Sequence, residues 1–387
     1  IRQILRILAI GAICLVGTTA IGQAQQPAGE QPRMAEDVYK NIQVLRGIPA
    51  DQFLETMGFM AASTGLNCTH CHGGYDYDVS TYASDGIDLK LTARKMVVIM
   101  NTINQSFFGG RKIVTCWTCH QGEQVPHSNP NLQVQYSQIL PYEPEDAAAS
   151  APGQPTPDQV LDKYLQAIGG AQRANAITSI VATGSNTGYG PEGHKRPVQI
   201  FAKSSPFQRT TITQTDDGNS VTTFDGTRGW LAVPHKPSAT PVEDLSGDLL
   251  IGAKLDAQML FPGGIKQYLS EWRTGYPFTL GDNDVVVLQG RARAGGPLVK
   301  LFFDDTTGLL VRQLRYVDSP IGHIPTQVDY SDYRVVNGVK IPFKWVVTWT
   351  NFRETYEMTQ IQANTQVQAN RFNKPDAPMP PARPGAR

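Results

Sequence analysis

Cysteine placement constrains this chain more than any other feature. Of its 5 cysteines, Cys68 and Cys71 form one close pair and Cys116 and Cys119 another. A histidine follows each pair at once, so Cys68-Thr69-His70-Cys71-His72 and Cys116-Trp117-Thr118-Cys119-His120 both read C-x-x-C-H. Thiols three positions apart can each add to one of the two vinyl groups on a haem edge. The next residue then offers its imidazole to the iron. Covalent fastening lets a small, loop-rich domain keep a large apolar cofactor that its own core could hardly secure.

Three other uses of paired cysteines compete. An exported chain can build a disulfide framework from four thiols. A four-cysteine zinc site wants its pairs closer, roughly 15–20 residues apart in a typical ribbon, whereas positions 72–115 put 44 residues between them. A thioredoxin-type C-x-x-C belongs beside a βαβ pattern, which is missing here. The histidines separate these readings. Only 7 of 387 residues are His, yet one follows each pair. The expectation is therefore two covalently attached haem c groups, held by Cys68, Cys71, Cys116 and Cys119, with His72 and His120 on the irons.

The opposite iron ligand is sought upstream. Residues 51–63 have helical spacing, with Phe53, Met57, Met60 and Ala61 on one face. Residues 91–104 repeat the design with Met96, Ile99, Met100 and Ile103. Methionines at such spacing ordinarily fill cores, but half of the 8 in the chain fall on these two segments. A thioether opposite imidazole raises the potential and completes the coordination, which suits moving electrons rather than binding substrate. Spacing alone leaves Met57 against Met60, and Met96 against Met100, open. His70 reads as exposed, His127 as a surface-loop residue, and Trp117 as packing over a haem edge.

The start of the chain reads as an export signal over residues 1–24. Arg2 and Arg6 precede an uncharged apolar run over 7–21, and Gly22-Gln23-Ala24 precede the expected cut. Left uncleaved, the same run would anchor the protein to a membrane. Ile13 before Cys14 is too large for a lipoprotein signal. The destination is the periplasm or outer envelope. Lys+Arg 34 against Asp+Glu 34 gives a formal charge of +0, which removes the electrostatic case for nucleic-acid binding.

Residues 34–140 read as helices and loops and form the expected dihaem domain. An Ala/Pro-rich linker over 141–156 follows. Thr156, Pro157 and Gln159 then announce a helix with a capping box, carrying Val160, Leu161, Tyr164, Leu165 and Ile168 until Gly169-Gly170 stop it. Beyond it, period-two segments lie at 179–183, 198–203, 208–214, 284–289, 298–303, 309–316 and 343–350. Asp217-Gly218, Asp225-Gly226 and Asn337-Gly338 mark hairpin turns. A helical insert is expected over about 247–272. Residues 157–372 thus read as a cysteine-free, curved antiparallel β-sheet domain with packed helices, and 373–387 as a loose Pro-rich tail. The fold class is multidomain α + β. Asp225-Gly226-x-x-Gly229-Trp230 and the long sheet loosely resemble the half-barrel of lipoprotein carriers, which implies a hydrophobic ligand in the β domain.

The helical part resembles a known family more closely. Asn41-Ile42-Gln43-Val44-Leu45, Phe53-x-x-x-Met57, Thr92-Ala93-Arg94-Lys95-Met96, Ile103-Asn104 and Val114-Thr115-Cys116-x-Thr118-Cys119-His120 are similar to the photosynthetic reaction-centre cytochrome c subunit family. In that family the axial methionine lies on a helix before each haem motif, which implies Met57 for the first haem and Met96 for the second. Its reaction-centre members carry four haem motifs, and this chain has two. Residues 106–110 (SFFGG) also lack the histidine that ligates a haem of the other half in tetrahaem members. The resulting reading is an exported dihaem c-type cytochrome that passes single electrons to redox partner proteins, in the setting of a membrane-associated electron-transfer complex. A dihaem peroxidase-like enzyme and a hydrophobic-ligand-binding protein with accessory haems are the rivals.

Overall fold

The computed structural model describes residues 32–73, 81–130, 152–188, 193–215, 217–234, 240–292 and 296–378. The expected export segment, Cys14, most of the 141–156 linker and the end of the tail lie outside the described residues. Among the described residues five helices come first: α1 (Ala35–Val38), α2 (Ala50–Thr64), α3 (Cys68–His72), α4 (Asp88–Phe108) and α5 (Cys116–His120). Gly65 ends α2 in the left-handed conformation, φ 66°, where a glycine avoids the steric cost of a Cβ. Its missing side chain also matters for packing. A Cβ there would stand 2.2 Å from the Gly122 carbonyl oxygen, so the chain leaving the second cysteine motif lies directly on the end of α2.

Four more helices accompany the sheet: α6 (Pro157–Ala167), α7 (Ala171–Asn175), α8 (Gly247–Gln258) and α9 (Ile265–Tyr268). The capping box at α6 forms as its sequence implies. Thr156 N–H donates to Gln159 Oε1 at 2.8 Å, and Gln159 N–H donates to Thr156 Oγ1 at 3.3 Å. Val160, Leu161, Tyr164 and Leu165 are buried on one side of α6.

The strands are β1 (Ser179–Thr187), β2 (Arg196–Ser204), β3 (Phe207–Thr215), β4 (Gly218–Phe224), β5 (Gly229–Ala232), β6 (Val242–Leu245), β7 (Ser270–Thr274), β8 (Phe278–Leu280), β9 (Asn283–Arg291), β10 (Leu298–Asp304), β11 (Leu310–Ser319), β12 (Gly322–Val336), β13 (Val339–Thr348) and β14 (Arg353–Ala363). They form one 14-stranded sheet in the order β6-β5-β4-β3-β2-β1-β14-β13-β12-β11-β10-β9-β7, with β8 on β9. Strands β1 and β14 pair antiparallel and join the two halves of the sheet. The core lies between the sheet and α6, where Leu161 and Ile168 meet Ile180, Ile200, Phe303 and Ile341. All three turn dipeptides join adjacent strands. At Asn337-Gly338 both residues have positive φ, 49° and 79°, as a tight two-residue hairpin requires.

Helical segment and sheet share a second apolar cluster. Phe53, Phe59, Val97 and Met100 from the helices pack with Val317, Ile321 and Ile324 from the β11–β12 hairpin. Burying a side chain of this size is worth about 1.5–3 kcal/mol. Polar links surround the cluster. Asp51 accepts from the Ser246 backbone N–H at 2.6 Å and from its hydroxyl at 2.9 Å. Burial pushes the Asp51 carboxyl up despite those bonds. Lys112 Nζ lies 2.6 Å from Asp318 Oδ1.

Two hairpin ends meet α2. At the β11–β12 end, a Cβ on Gly322 (φ 147°) would stand 2.8 Å from the Phe59 ring and 3.2 Å from Thr115. Gly322→Ala should therefore lower the melting temperature, with a cost of about 1–3 kcal/mol from overpacking. An unaltered thermal transition would show that Phe59 yields freely.

Candidate functional site

Each C-x-x-C-H forms one short helix, and each is held at its start by a capping box. At the first, Asn67 precedes the helix and His70 folds back on it, with Nδ1 2.5 Å from Asn67 Oδ1. His70 is exposed. At the second, Thr115 N–H donates to Thr118 Oγ1 at 3.0 Å, and Thr118 N–H donates to Thr115 Oγ1 at 3.3 Å. A single helical turn brings the two cysteines of each motif to the same side, because residues three apart are neighbours on a helix surface. Cys68, Cys71, Cys116 and Cys119 are all free thiols. Burial raises the Cys71 thiol above its ordinary value and pushes Cys116 up to about 11.

The two motif histidines are oriented alike. His72 Nδ1 lies 3.0 Å from the Tyr82 carbonyl oxygen, and His120 Nδ1 lies 3.0 Å from the Glu123 carbonyl oxygen. A carbonyl can only accept, so in both rings Nδ1 carries a proton, and in the neutral ring Nε2 is the nitrogen left to ligate. Such a bond fixes both tautomer and ring direction for a metal-ligating imidazole. His72 also stacks on Tyr82, with centroids 4.8 Å apart. Burial, helped by the Lys90 and Arg94 charges, holds the His72 pKa below its ordinary value. The ring is thus kept in the neutral form that can ligate.

The segments around the two motifs are held by different neighbours. Tyr82 O also accepts from Lys90 Nζ at 2.8 Å, and Lys90 reaches Ser84 O at 2.7 Å. Asp85 closes this loop. It pairs with Arg94 at 2.9 Å and Lys90 at 3.3 Å, and accepts from Asn41 Nδ2 at 2.8 Å. The Arg94 hydrogen bond, with those of Lys90 and Asn41, holds the Asp85 carboxyl down to about 2. At the second motif Gly122 N–H donates to Ser63 O at 2.8 Å beside the Glu123 carbonyl, and a neutral clamp holds the segment that leads into the motif. Buried Asn104 donates to Val114 O at 2.7 Å and accepts from Val114 N–H at 2.9 Å and Ile113 N–H at 3.2 Å. Tyr82, Lys90 and Asp85 did not emerge from sequence reasoning. The only signal was that Asn41, Arg94 and Asn104 belong to the segments carrying the family resemblance.

The four methionines are unlike. Met57 and Met60 are half-buried on α2 and line one cavity of about 1330 Å³ together with Cys68, Cys71 and His72. Met100 is 6% exposed and packs beside Val97 in the shared apolar cluster. Met96 is 44% exposed and Ile99 49%. The single apolar face expected on this helix therefore divides. Its Val97–Met100–Asn104 side is spent on packing, and Met96 and Ile99 point away from it. Trp117 is 47% exposed, with its ring edge toward Gly122, and His127 is exposed. Among the described residues no three His, Cys, Asp or Glu side chains gather to hold a bare metal ion.

The same cavity extends over the inner side of the sheet, past Ile200, Val328, Ile341 and Trp345. Arg315 and Asp256, joined by two hydrogen bonds of 2.9 and 3.1 Å, lie in its wall. Among the described residues no helix is long and apolar enough to cross a membrane.

Comparison with known proteins bears out the resemblance read from residues 39–122. The family model for the photosynthetic reaction centre cytochrome C subunit matches residues 13–166. The photosynthetic reaction center cytochrome c subunit of Roseobacter denitrificans is 35% identical over 100 residues, covering 24% of this chain and 26% of that protein. Its counterpart from Thermochromatium tepidum is 32% identical over 116 residues, 27% of each chain. The chain thus spans about a quarter of the length of these curated relatives. Among solved structures, a DUF1329 family protein from Desulfovibrio piger aligns with a TM-score of 0.39 at 10% identity, covering 56% of this chain and 96% of its own. A LolA superfamily protein from Nitrosomonas europaea aligns with a TM-score of 0.39 at 10% identity, covering 57% of this chain and 99% of its own.

The two clamps are separable by mutation. Asn104→Ala should cost about 1–3 kcal/mol by leaving buried backbone groups unpaired. Amide exchange should accelerate at Ile113 and Val114 while residues 82–85 keep their rate. For Asp85 the folded pKa is depressed, so its contribution is complete above the ordinary carboxylate value of ~3.9 and declines as pH falls toward about 2. Exchange of the 82–85 amides should lose protection over that window, and Asp85→Asn should abolish the pH dependence.

Proposed function

We propose that this chain is an exported electron-transfer protein with two covalently attached haem c groups. The first is held by Cys68 and Cys71, with His72 and Met57 as iron ligands. The second is held by Cys116 and Cys119, with His120 and Met96. On this reading residues 1–24 are the export leader, 34–140 the dihaem domain, 141–156 a linker, 157–372 the β domain and 373–387 a loose tail. The site of action is the periplasm or outer envelope, beside a membrane-associated redox complex. The match of the N-terminal part to reaction-centre cytochrome c subunits supports the cytochrome c and electron-transfer assignment.

One observation carries the proposal: both motif histidines spend Nδ1 on a backbone carbonyl at 3.0 Å. Two unrelated loops supply these carbonyls, and in both rings Nδ1 rather than Nε2 makes the bond. The donor set also suits a porphyrin better than a bare ion. Each motif offers two free thiols and one imidazole, and the first opens into a cavity large enough for a bulky apolar group. When bound, haem supplies a reversible ferric/ferrous one-electron store.

The chain's own residues do the rest. The four cysteines would hold the cofactor by thioether bonds, and the histidine–carbonyl bonds orient the imidazoles that would ligate its iron. Among the methionines, Met96 is preferred at the second site on the family resemblance, with Met100 buried in the apolar cluster. At the first, Met57 is preferred on the family resemblance, since Met57 and Met60 line the same cavity.

Potentiometric titration with optical spectra tests the assignment. Met96→His should lower one midpoint potential while both irons stay low-spin, because imidazole stabilises the ferric state relative to thioether. Met60→Leu should leave both midpoints in place. Midpoints indifferent to Met96→His, or displaced by Met60→Leu, would reverse the corresponding ligand. A high-spin spectrum with ready carbon monoxide binding would point to the peroxidase-like alternative.

A further inference from the structure

We infer that the end of the β13–β14 hairpin forms a wall of the first haem site and keeps water from it, giving the β domain a part in setting that haem's potential. The inference rests on the haem reading above. Residues 349–352 turn the chain between these strands, with Trp349 N–H donating to Phe352 O at 2.9 Å. The Trp349 and Phe352 rings stack with centroids 4.4 Å apart. Between them, Asn351 presses on α2 at Gly58, where an added Cβ would stand 3.1 Å from the Asn351 Cγ. Gly58 is buried directly after Met57. Trp349 and Phe352 line the same cavity as Met57, Cys68, Cys71 and His72.

Glycine inside a helix costs stability, because it gives up backbone freedom and packs nothing. At position 58 the cost has a return: the absent side chain lets the hairpin end come up against α2 beside the proposed methionine ligand. The second site differs. Each motif has one exposed cysteine, Cys68 and Cys119, but Met96 and Trp117 are 44% and 47% exposed whereas Met57 is half-buried. An apolar shell that excludes water disfavours the more highly charged ferric form and raises the potential. The hairpin end therefore makes the two sites unequal: a sheltered first haem and a second one in contact with solvent. Trp349, Phe352 and Gly58 act here as positioning residues.

The test uses the haem-loaded full-length protein. Trp349→Ala combined with Phe352→Ala should lower the midpoint of the haem that responds to Met57→Leu and leave the other unchanged, with two haems per chain by alkaline pyridine assay. Gly58→Ala, which improves helix propensity, should produce the same one-sided shift by pushing the hairpin away. Adding Asn351→Gly to Gly58→Ala should restore the original value. This last pair keeps the test decisive where the double aromatic variant does not fold. Two haems per chain with both midpoints unmoved, or both moved equally, would overturn the inference. Fewer than two haems in the unmodified protein would instead defeat the attachment reading on which it rests.

Discussion

Helix α2 has to satisfy two surfaces at once, and that packing constraint organises everything around it. One side delivers Phe53 and Phe59 to an apolar cluster shared with the β11–β12 hairpin. Another side turns Met57 and Met60 to the cavity that contains the first cysteine motif. Small residues appear wherever a neighbour comes close. Gly322 admits Phe59, Gly58 admits Asn351, and Gly65 admits the chain leaving the second motif. A helix so confined cannot rotate or slide without breaking contacts on several sides, which is how packed interiors hold side chains in place.

That rigidity gives the two histidine–carbonyl bonds their value. Each motif contributes its donors from a single helical turn, which has little intrinsic stability. Orientation must come from outside. At the first motif it comes from a charged network, in which Lys90 and His72 share the Tyr82 carbonyl and Asp85 joins Arg94, Lys90 and Asn41. At the second, Ser63 O on α2 accepts from Gly122 N–H beside the Glu123 carbonyl, and Asn104 meets three backbone groups of the segment before the motif. Equivalent geometry is thus reached by electrostatic means in one place and by neutral hydrogen bonding in the other. The first arrangement contains a carboxylate, Asp85, and the Asn104 bonds contain no titratable group.

Local chemistry was legible in the sequence, and long-range pairing was not. The C-x-x-C-H motifs, the Thr156 capping box and the three turn dipeptides each depend on residues within a few positions, and each is found where its spacing put it. Strand β12 escaped notice because Pro325 and Asp329 interrupt its apolar alternation. Pro325 is tolerated opposite Tyr316, within the pairing to β11. Strand β14 escaped because its outer face is polar along most of its length. On α4, periodicity joined Met96 to Met100, but only tertiary packing could reveal that Met100 is buried while Met96 is open to solvent. The Tyr82 carbonyl carries no side-chain signature, so nothing in a residue pattern could nominate it. Lys90 and Asp85 belong to no motif, and only the fold brings them together.

Whether porphyrin is bonded to the polypeptide at both motifs can be read most directly by weighing the intact chain. The protein should be matured in a host that attaches haem c, purified under denaturing conditions and analysed by mass spectrometry with thiol counting. The account predicts a polypeptide heavier by two haem groups, with Cys68, Cys71, Cys116 and Cys119 all unreactive toward alkylating reagent. A chain at its bare polypeptide mass with four titratable thiols, or one that releases a zinc ion instead, would contradict it.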